Sequence, residues 1–351
     1  MAQISKPVIP KGSTVLVTGV NGFIGSHVAD QLIRFGYKVR GTVRDTAKGA
    51  WVVKYFDETY GPGAFELVAV PDLTAETAYD KVIKGVAAFV HVASDVSFNA
   101  DPNAVIPPVI AATLTALKAA FAEPSVRRFV LTSSSSTVVP ADPKAYAEGR
   151  IVGESTWSED AKELAWAPPP YTAERALAVY SSSKLEGEQA LWKFYEENKS
   201  KRPDFVVNTV LPNLNLGKSL DPINQGHPST SGLITTLFQG NVLPELFQIP
   251  QYFVDVQDTA LLHVAALIFP DVKSERIFAF TEPFTWDQVL EILRKQNPGR
   301  KFPDNFANTP CRIVVKPRAR AEELLRTLGR PGWTSLEDSL LLNSDDLRTA
   351  S

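Results

Sequence analysis

A glycine motif near the start of the chain constrains the fold more than any other feature of this sequence. Gly19, Gly22 and Gly25 have the spacing G-x-x-G-x-x-G. They follow residues 13–18, an apolar β-branched run typical of a buried parallel strand, and they precede residues 23–35, which have the pattern of a helix. A strand, a glycine turn and a helix in this order are the setting in which such a motif binds a dinucleotide.

Each part of this turn has a predicted role. Gly19 permits the tight turn, Gly22 lets the backbone approach a pyrophosphate, and Gly25 lets the helix pack against the strand. The backbone N–H groups at the start of the helix, which Phe23 and Ile24 open, then face the phosphates. The alternative interpretation is a glycine-rich turn without a ligand.

Beyond the turn, strand-like runs alternate with helical segments. Predicted strands cover residues 38–43, 65–70, 87–92, 129–132, 205–211 and 252–254, and predicted helices cover residues 105–122, 286–296, 319–328 and 334–342. This alternation predicts an α/β fold, a Rossmann-type doubly wound parallel sheet with a smaller C-terminal substrate-binding lobe. Residues 138–175 are too long for a simple connection and predict a functional loop or lid.

Composition and charge exclude several classes of protein. The formal net charge is −3 and no run of like charge stands out, so we expect no nucleic-acid partner. The single cysteine, Cys311, cannot form an intramolecular disulfide. The N-terminus lacks a signal-peptide pattern, and no apolar run reaches the roughly 20 residues that cross a bilayer, so we expect a cytoplasmic protein without a membrane partner.

The end of the second predicted strand indicates which dinucleotide is bound. An NAD site usually places an acid there to hold the ribose 2′-hydroxyl. Here the position is Arg44, and Lys48 follows it. A guanidinium suits a 2′-phosphate, so the sequence favours NADPH/NADP+ over NAD(H). Arg44 as a solvated surface residue is the alternative, and Asp45 lies next to it.

Two further strand ends carry candidate cofactor contacts. Asp72 and Leu73 follow the third strand, where an aspartate accepts from an adenine amino group or caps a helix. Val92, Ala93 and Ser94 lie at the end of the fourth strand, where small residues let the backbone approach a cofactor.

A tyrosine and a lysine form the candidate catalytic pair. Tyr180 and Lys184 have the spacing Y-x-x-x-K, which places them on one face if the segment is helical. An ammonium beside a phenol lowers the phenol's pKa, so the phenol exchanges a proton near neutral pH. Residues 133–136 are serines at a predicted strand end, where a hydroxyl faces the ligand crevice; the alternative for each is a turn or a helix cap.

These motifs together resemble one known family. They are LVTGVNGFIGSHV (16–28), GTVRD (41–45), HVAS (91–94), RRFVLTSSS (127–135), VYSSSK (179–184), LPN (211–213) and FVDVQDTALLHVAAL (253–267). The chain resembles an extended short-chain dehydrogenase/reductase of the dihydroflavonol-reductase-like branch, and it is most similar to fungal NADPH-dependent aldehyde and ketone (carbonyl) reductases. The resemblance covers nearly the whole chain.

The resemblance implies hydride transfer from the nicotinamide to a carbonyl carbon. Ser134 would be the catalytic serine, Tyr180 the proton donor and Lys184 the partner that lowers its pKa, while Arg44 and Lys48 would contact the 2′-phosphate. The other implied cofactor contacts are Pro212, Asn213, Leu214, Asn215 and Ser231, besides Tyr180 and Lys184.

The expected reaction is the NADPH-dependent reduction of aldehydes and ketones, keto esters included, to alcohols by an oxidoreductase acting on CH–OH groups. The partner would be a small carbonyl compound, and the protein a monomer or homodimer. Phe98, Leu177, Val179 and Gln251 are predicted to line an apolar substrate pocket with one polar group. No cluster of His, Cys, Asp or Glu has metal-ligand spacing, and His263 is interpreted as a structural hydrogen-bonding residue.

The chain is expected to divide into two parts. Residues 1–211 would form the NADP-binding Rossmann domain with the catalytic residues. Residues 212–351 would form mainly the substrate-binding lobe, with residues 251–267 returning to the Rossmann domain. Three alternative functions stay open: an NAD(P)-dependent nucleotide-sugar epimerase or dehydratase, a hydroxysteroid- or dihydroflavonol-type dehydrogenase, and a non-catalytic NADP sensor. An epimerase that retains NAD would favour an acid in place of Arg44.

Overall fold

The main sheet confirms the predicted fold class. The computed structural model describes residues 7–139, 146, 148–244 and 246–349. The strands of the main sheet are β1 (Thr14–Thr18), β2 (Lys38–Val43), β3 (Phe65–Ala69), β4 (Ala88–His91), β5 (Arg128–Thr132), β7 (Val206–Pro212) and β10 (Arg276–Ala279). They lie in the order β10-β7-β5-β4-β1-β2-β3 and every neighbouring pair is parallel. The order reverses between β1 and β4, which is where ligands bind in sheets of this kind.

Helices cover both faces of this sheet. They include α1 (Phe23–Arg34), α2 (Thr46–Tyr60), α3 (Pro102–Ala122), α4 (Asp160–Ala165), α5 (Ala176–Asn198), α6 (Gly232–Phe238), α7 (Val256–Ile268), α8 (Trp286–Gln296), α9 (Arg318–Thr327), α10 (Leu336–Asn343) and α11 (Asp345–Thr349). Val15 and Val17 of β1 belong to a core cluster with α1, α7 and α9, whereas Leu16 packs with α3 and α5. Because the strands are buried on both faces, their sequences are continuous apolar runs.

Two smaller sheets accompany the main one. The strands β8 (Leu214–Leu216), β9 (Gln251–Asp255) and β11 (Glu282–Phe284) form the first, and β6 (Ile151–Val152) pairs with β12 (Val314–Val315) in the second. The three-stranded sheet packs with α6, α8 and α10 around a separate apolar core. The strand predicted at residues 252–254 is therefore present as β9, but it belongs to this smaller sheet.

The helix predicted at residues 105–122 is α3, and it begins earlier than predicted. Its two internal prolines, Pro107 and Pro108, lie inside the helix rather than near its start. Asp101 caps the first turn by accepting a hydrogen bond from the Asn103 amide. The carbonyls that lose a helical partner to the prolines belong to residues 103 and 104, which are exposed to solvent.

The expectation that no apolar segment is long enough for a bilayer is wrong. Within the described residues, α3 has both the length and the apolar composition to cross a membrane. In this fold, however, α3 packs lengthwise against α5, and Val105, Ile106, Ala116 and Leu117 on it are buried.

The predicted loop or lid at residues 138–175 contains short elements. Strand β6 pairs with β12, and α4 packs against α5. Residues 140–145 and 147 of this segment lie outside the described residues. Neither α2 nor β10 was predicted individually, and β10 supplies the outermost strand beside β7.

Candidate active site

A cavity of about 1420 Å³ opens at the carboxyl ends of β1, β4, β5 and β7. It exceeds the usual volume of a pocket for one small ligand, so it has room for a dinucleotide beside a second molecule. Nearly all of the predicted site residues line it: Gly19, Gly22, Phe23, Ile24, Gly25, Arg44, Lys48, Asp72, Leu73, Val92, Ala93, Ser94, Phe98, Ser134, Leu177, Tyr180, Lys184, Pro212, Asn213, Leu214, Asn215 and Gln251.

Two predicted residues lie outside the cavity lining. Val179 is fully buried in an apolar cluster with Val105 and Ile106 of α3, because it points away from the Tyr180 side of α5. Ser231 is also fully buried, and its hydroxyl donates to the Pro228 carbonyl at 2.7 Å. Neither side chain is placed to contact a ligand in the cavity.

The glycine turn has the geometry that its spacing predicted. Gly19 has a φ of +69°, a conformation that favours glycine. A Cβ on Gly25 would lie 2.2 Å from the Gly19 carbonyl oxygen, so the helix packs closely on the turn only with glycine there. The first N–H groups of a helix have no intrahelical partners. In α1 no side chain caps them at Gly22, so they are available to an anion beside the cavity. These features fit a pyrophosphate.

Two cations line the cavity beyond the carboxyl end of β2, where the sequence predicted a contact with a phosphate. Arg44 and Lys48 are exposed, and neither forms an ion pair within the described part of the chain. The neighbouring Asp45 is used elsewhere, since its carboxylate accepts a hydrogen bond from the Ala47 amide and caps α2. Its carboxylate is thus engaged in the cap, and the two free cations fit a phosphate group.

Asp72 and Thr18 shape the neighbouring walls. The Asp72 carboxylate accepts from the hydroxyl and the amide of Thr74, and these bonds lower its pKa. Asp72 therefore stabilises a turn as well as lining the cavity. The Thr18 hydroxyl accepts from the amides of Val92 and Ala93, both at 3.0 Å. These bonds hold the end of β4 against the glycine turn.

Ser134 and Tyr180 meet at the carboxyl end of β5. Ser134 follows the strand by two residues, and its hydroxyl accepts a hydrogen bond from the Ser136 amide at 3.2 Å. Tyr180 projects from α5 toward it. Burial raises the pKa of the Tyr180 phenol, and the neighbouring Ser134 hydroxyl acts in the opposite direction. The serine and tyrosine side chains thus lie together in the cavity.

Lys184 lies one helical turn after Tyr180 and is buried. Its Nζ donates to the Thr132 carbonyl at 3.2 Å. Burial lowers the pKa of Lys184 to about 8, although the Glu188 carboxylate opposes the change. The predicted lowering of the Tyr180 pKa by this lysine is not seen, because burial of the phenol dominates and the amine is directed at the backbone carbonyl.

Apolar side chains form the other end of the cavity. Phe98 lies over the Tyr180 ring with 5.0 Å between the ring centroids. It is 53% exposed and has a φ of +53°, which is uncommon for an aromatic residue. Val96 and Leu177 are also exposed beside the cavity. This end has free apolar surface next to the reacting groups.

Comparison with known proteins identifies the family. Residues 15–279 match the NAD dependent epimerase/dehydratase family. The chain belongs to this family. Because this family includes the extended short-chain dehydrogenase/reductases, the resemblance stated from the sequence motifs is confirmed.

Individual members of the family are similar to this chain over almost its full length. It is 44% identical to aldehyde reductase 2 of Sporidiobolus salmonicolor over 97% of both proteins. It is 39% identical to the ketoreductase adrE of Penicillium rubens, over 97% of this chain and 98% of that protein. The structure of Gre2 from Candida albicans in complex with NADPH superimposes with a TM-score of 0.81 at 25% identity, covering 97% of this chain and 99% of that one. The fold prediction is confirmed by this match.

A buried ion pair beneath the site was not predicted. Glu188 is fully buried and accepts from Ser133, Thr209 and Arg276, at 2.6, 2.9 and 2.8 Å. Burial would raise the pKa of Glu188, but Arg276 and the other donors hold it below its usual value. The position of Glu188 four residues after Lys184 could have predicted that both side chains lie on the same face of α5. No sequence pattern could have predicted the role of Arg276, because no motif surrounds it.

Proposed function

We propose that this protein is an NADPH-dependent carbonyl reductase that converts aldehydes and ketones, keto esters included, to alcohols. The observation that carries the proposal is the convergence of three features on one cavity: the glycine turn, two unpaired cations, and Ser134 with Tyr180 and Lys184. The names of its relatives, an aldehyde reductase and a ketoreductase, support the same reaction class.

The residues at the end of β5 would activate the substrate carbonyl. A bound nicotinamide supplies the hydride. Ser134 donates a hydrogen bond to the carbonyl oxygen, where negative charge develops during the reaction. Tyr180 gives its proton to this oxygen. Lys184, one helical turn after Tyr180 and held by the Thr132 carbonyl, would bind the ribose hydroxyls of the cofactor.

Arg44 and Lys48 would bind the 2′-phosphate, and this assignment supports NADPH over NADH. A guanidinium and an ammonium without acidic partners form charge-assisted hydrogen bonds with a phosphate. The engagement of Asp45 in the cap of α2 supports the assignment further. The remaining proposed cofactor contacts are Gly19, Gly22, Phe23, Ile24, Gly25, Asp72, Leu73, Val92, Ala93, Ser94, Pro212, Asn213, Leu214 and Asn215.

We further propose that the substrate binds at the apolar end of the cavity. Phe98, Leu177 and Gln251 remain candidate contacts there. The division of the chain into a cofactor-binding part, residues 1–211, and a mainly substrate-binding part, residues 212–351, is proposed with it. The position of α7 against α1, β5 and β7 supports the return of residues 256–267 to the first part, whereas residues 251–255 pair as β9 in the smaller sheet.

A nucleotide-sugar epimerase is the alternative within the same family, and the charges of the cavity argue against it. A nucleotide sugar carries a diphosphate in addition to that of the cofactor. Among the described residues that line the cavity, the cationic side chains are Arg44, Lys48 and Lys184. All three are assigned to the cofactor, so the apolar end has no cation for a second diphosphate.

The proposal is tested by following the oxidation of NADPH and NADH separately with a panel of aldehydes and ketones. We expect NADPH to be oxidised and an equal amount of alcohol to form. No turnover with either cofactor would contradict the proposed reaction. A preference for NADH would contradict the Arg44 assignment and leave the reaction class intact.

A further inference from the structure

His263 lies at the centre of a buried hydrogen-bonded chain that joins two parts of the candidate site. It is fully buried on α7. Its Nε2 atom lies 2.7 Å from the Thr132 hydroxyl, and its Nδ1 atom lies 2.8 Å from the Thr259 carbonyl. The imidazole ring therefore contacts Thr132, the last residue of β5, through one nitrogen and the backbone of its own helix, α7, through the other.

The direction of each hydrogen bond follows from the chemistry of the partners. A carbonyl oxygen only accepts, so Nδ1 carries a proton and donates it to Thr259. Burial lowers the pKa of His263 to about 4, so the ring is neutral near pH 7 and Nε2 has no proton. Nε2 then accepts from the Thr132 hydroxyl. Because the neutral ring donates at one nitrogen and accepts at the other, it satisfies both partners.

One end of the chain leads to the proposed catalytic groups. Thr132 uses its carbonyl oxygen to accept from the Lys184 amine at 3.2 Å. It also precedes Ser134 by two residues, at the point where β5 ends. Holding the Thr132 side chain therefore orients the Thr132 carbonyl, which accepts from Lys184. It also orients the backbone that leads from β5 to Ser134.

The other end leads to the proposed nicotinamide contacts. The Thr259 hydroxyl donates to Asn215 Oδ1 at 2.7 Å. Asn215 Nδ2 in turn donates to the Asn213 carbonyl at 3.0 Å, and the Thr230 hydroxyl donates to the Asn215 carbonyl at 2.6 Å. Asn213 and Asn215 both line the cavity.

We propose that His263 is a positioning residue for the reduction. It holds the end of β5, with its anchor for Lys184, in register with the Asn213–Asn215 segment on the far wall. The inference rests on the proposed function, since it concerns groups assigned to that reaction. An apolar side chain of the same size would fill the space but leave the buried Thr132 hydroxyl without its partner.

Glutamine and asparagine substitutions separate the two ring contacts. In His263→Gln the amide oxygen lies near the place of Nε2 and still accepts from Thr132. In His263→Asn the amide nitrogen lies near the place of Nδ1 and still donates to Thr259. We expect His263→Asn to lower kcat about tenfold or more, because small misplacements of reacting groups have large effects on rate. We expect His263→Gln to keep kcat near that of the wild type.

The Michaelis constant and the unfolding temperature separate positioning from a general loss of structure. The KM for NADPH is expected to stay near wild type in His263→Asn, because Arg44, Lys48 and the glycine turn are unchanged. Thermal unfolding of both variants shows whether either is destabilised. Equal kcat values for the two variants at equal unfolding temperatures would overturn the inference.

A second pair of variants tests the same contact from the other side and does not change the buried histidine. Thr132→Ser keeps the hydroxyl that donates to Nε2, and Thr132→Val keeps the shape but removes it. We expect Thr132→Ser to retain turnover and Thr132→Val to reproduce the loss of kcat in His263→Asn. Full kcat in Thr132→Val would overturn the inference with the reductase activity intact. An inactive wild-type protein in the same assay would instead overturn the proposed function, and this inference with it.

Discussion

The two ends of the cavity are built in different ways. At the proposed cofactor end, a glycine turn, the start of α1, Arg44 after β2 and Lys48 in α2 all lie within residues 19–48. At the proposed substrate end, Val96, Phe98 and Leu177 are 57%, 53% and 37% exposed and come from two segments, the one that follows β4 and the start of α5. The cofactor end depends on backbone geometry that few sequences satisfy, whereas the substrate end depends on side chains that are free to vary. A substitution at the first end should therefore change the binding of the cofactor. A substitution at the second end should change the selectivity for the substrate.

The largest effect is expected at the glycine turn. In Gly25→Ala the new Cβ would lie 2.2 Å from the Gly19 carbonyl oxygen, and the backbone must move. We expect both NADPH binding and turnover to be lost, as measured by cofactor fluorescence and by assay. Gly153→Ala is the control, because nothing lies within 4 Å of the position that its Cβ would take and Gly153 does not line the cavity. Normal NADPH affinity in Gly25→Ala would show that the turn does not contact the cofactor.

The next largest effect is expected where the two ends meet. Tyr180→Phe removes the proposed proton donor and keeps the ring that packs with Phe98. Because general acid catalysis contributes about 10²- to 10⁴-fold, we expect kcat to fall by that factor while NADPH still binds. Tyr171→Phe, on an exposed tyrosine, should leave kcat unchanged. Near-full activity in Tyr180→Phe would remove the tyrosine from the mechanism.

A smaller and more selective effect is expected at the two cations that follow β2. Arg44→Ala removes a cation that has no ion-pair partner in the described residues. Since hydrogen bonds to charged groups contribute about 1.5–3 kcal/mol, the KM for NADPH should rise about 10-fold or more while the KM for NADH hardly changes. Lys54→Ala on α2, whose lysine pairs with Glu58, is the control. An equal change for both cofactors would exclude a 2′-phosphate contact.

The smallest effect is expected at the substrate end. Phe98→Ala removes an exposed ring beside Tyr180. Aromatic contacts contribute about 0.5–1.5 kcal/mol, so kcat/KM for an aromatic aldehyde should fall about 2- to 10-fold relative to a short aliphatic one. The KM for NADPH should stay constant. A change in that KM with no change in the aldehyde ratio would place Phe98 in the cofactor site instead.

The same contrast explains what the sequence could predict. Gly19 and Gly25 were predictable because the positive φ of Gly19 and the close approach at Gly25 exclude other residues. Tyr180 and Lys184 were predictable because one helical turn separates them. Val179 was misplaced because the helix face that meets α3 could not be known from local spacing. His263 and Arg276 contact residues more than 80 positions away, and only the folded chain shows such contacts.

The central claim is that hydride passes from NADPH to a carbonyl carbon of the substrate and leaves with the product. NADPH carrying deuterium at both C4 positions tests this directly in a reaction with an aldehyde or ketone. We predict an alcohol with one deuterium on the former carbonyl carbon and one equivalent of oxidised cofactor for each product molecule. An unlabelled product, or turnover without net oxidation of the cofactor as in an epimerase that returns the hydride, would contradict the account.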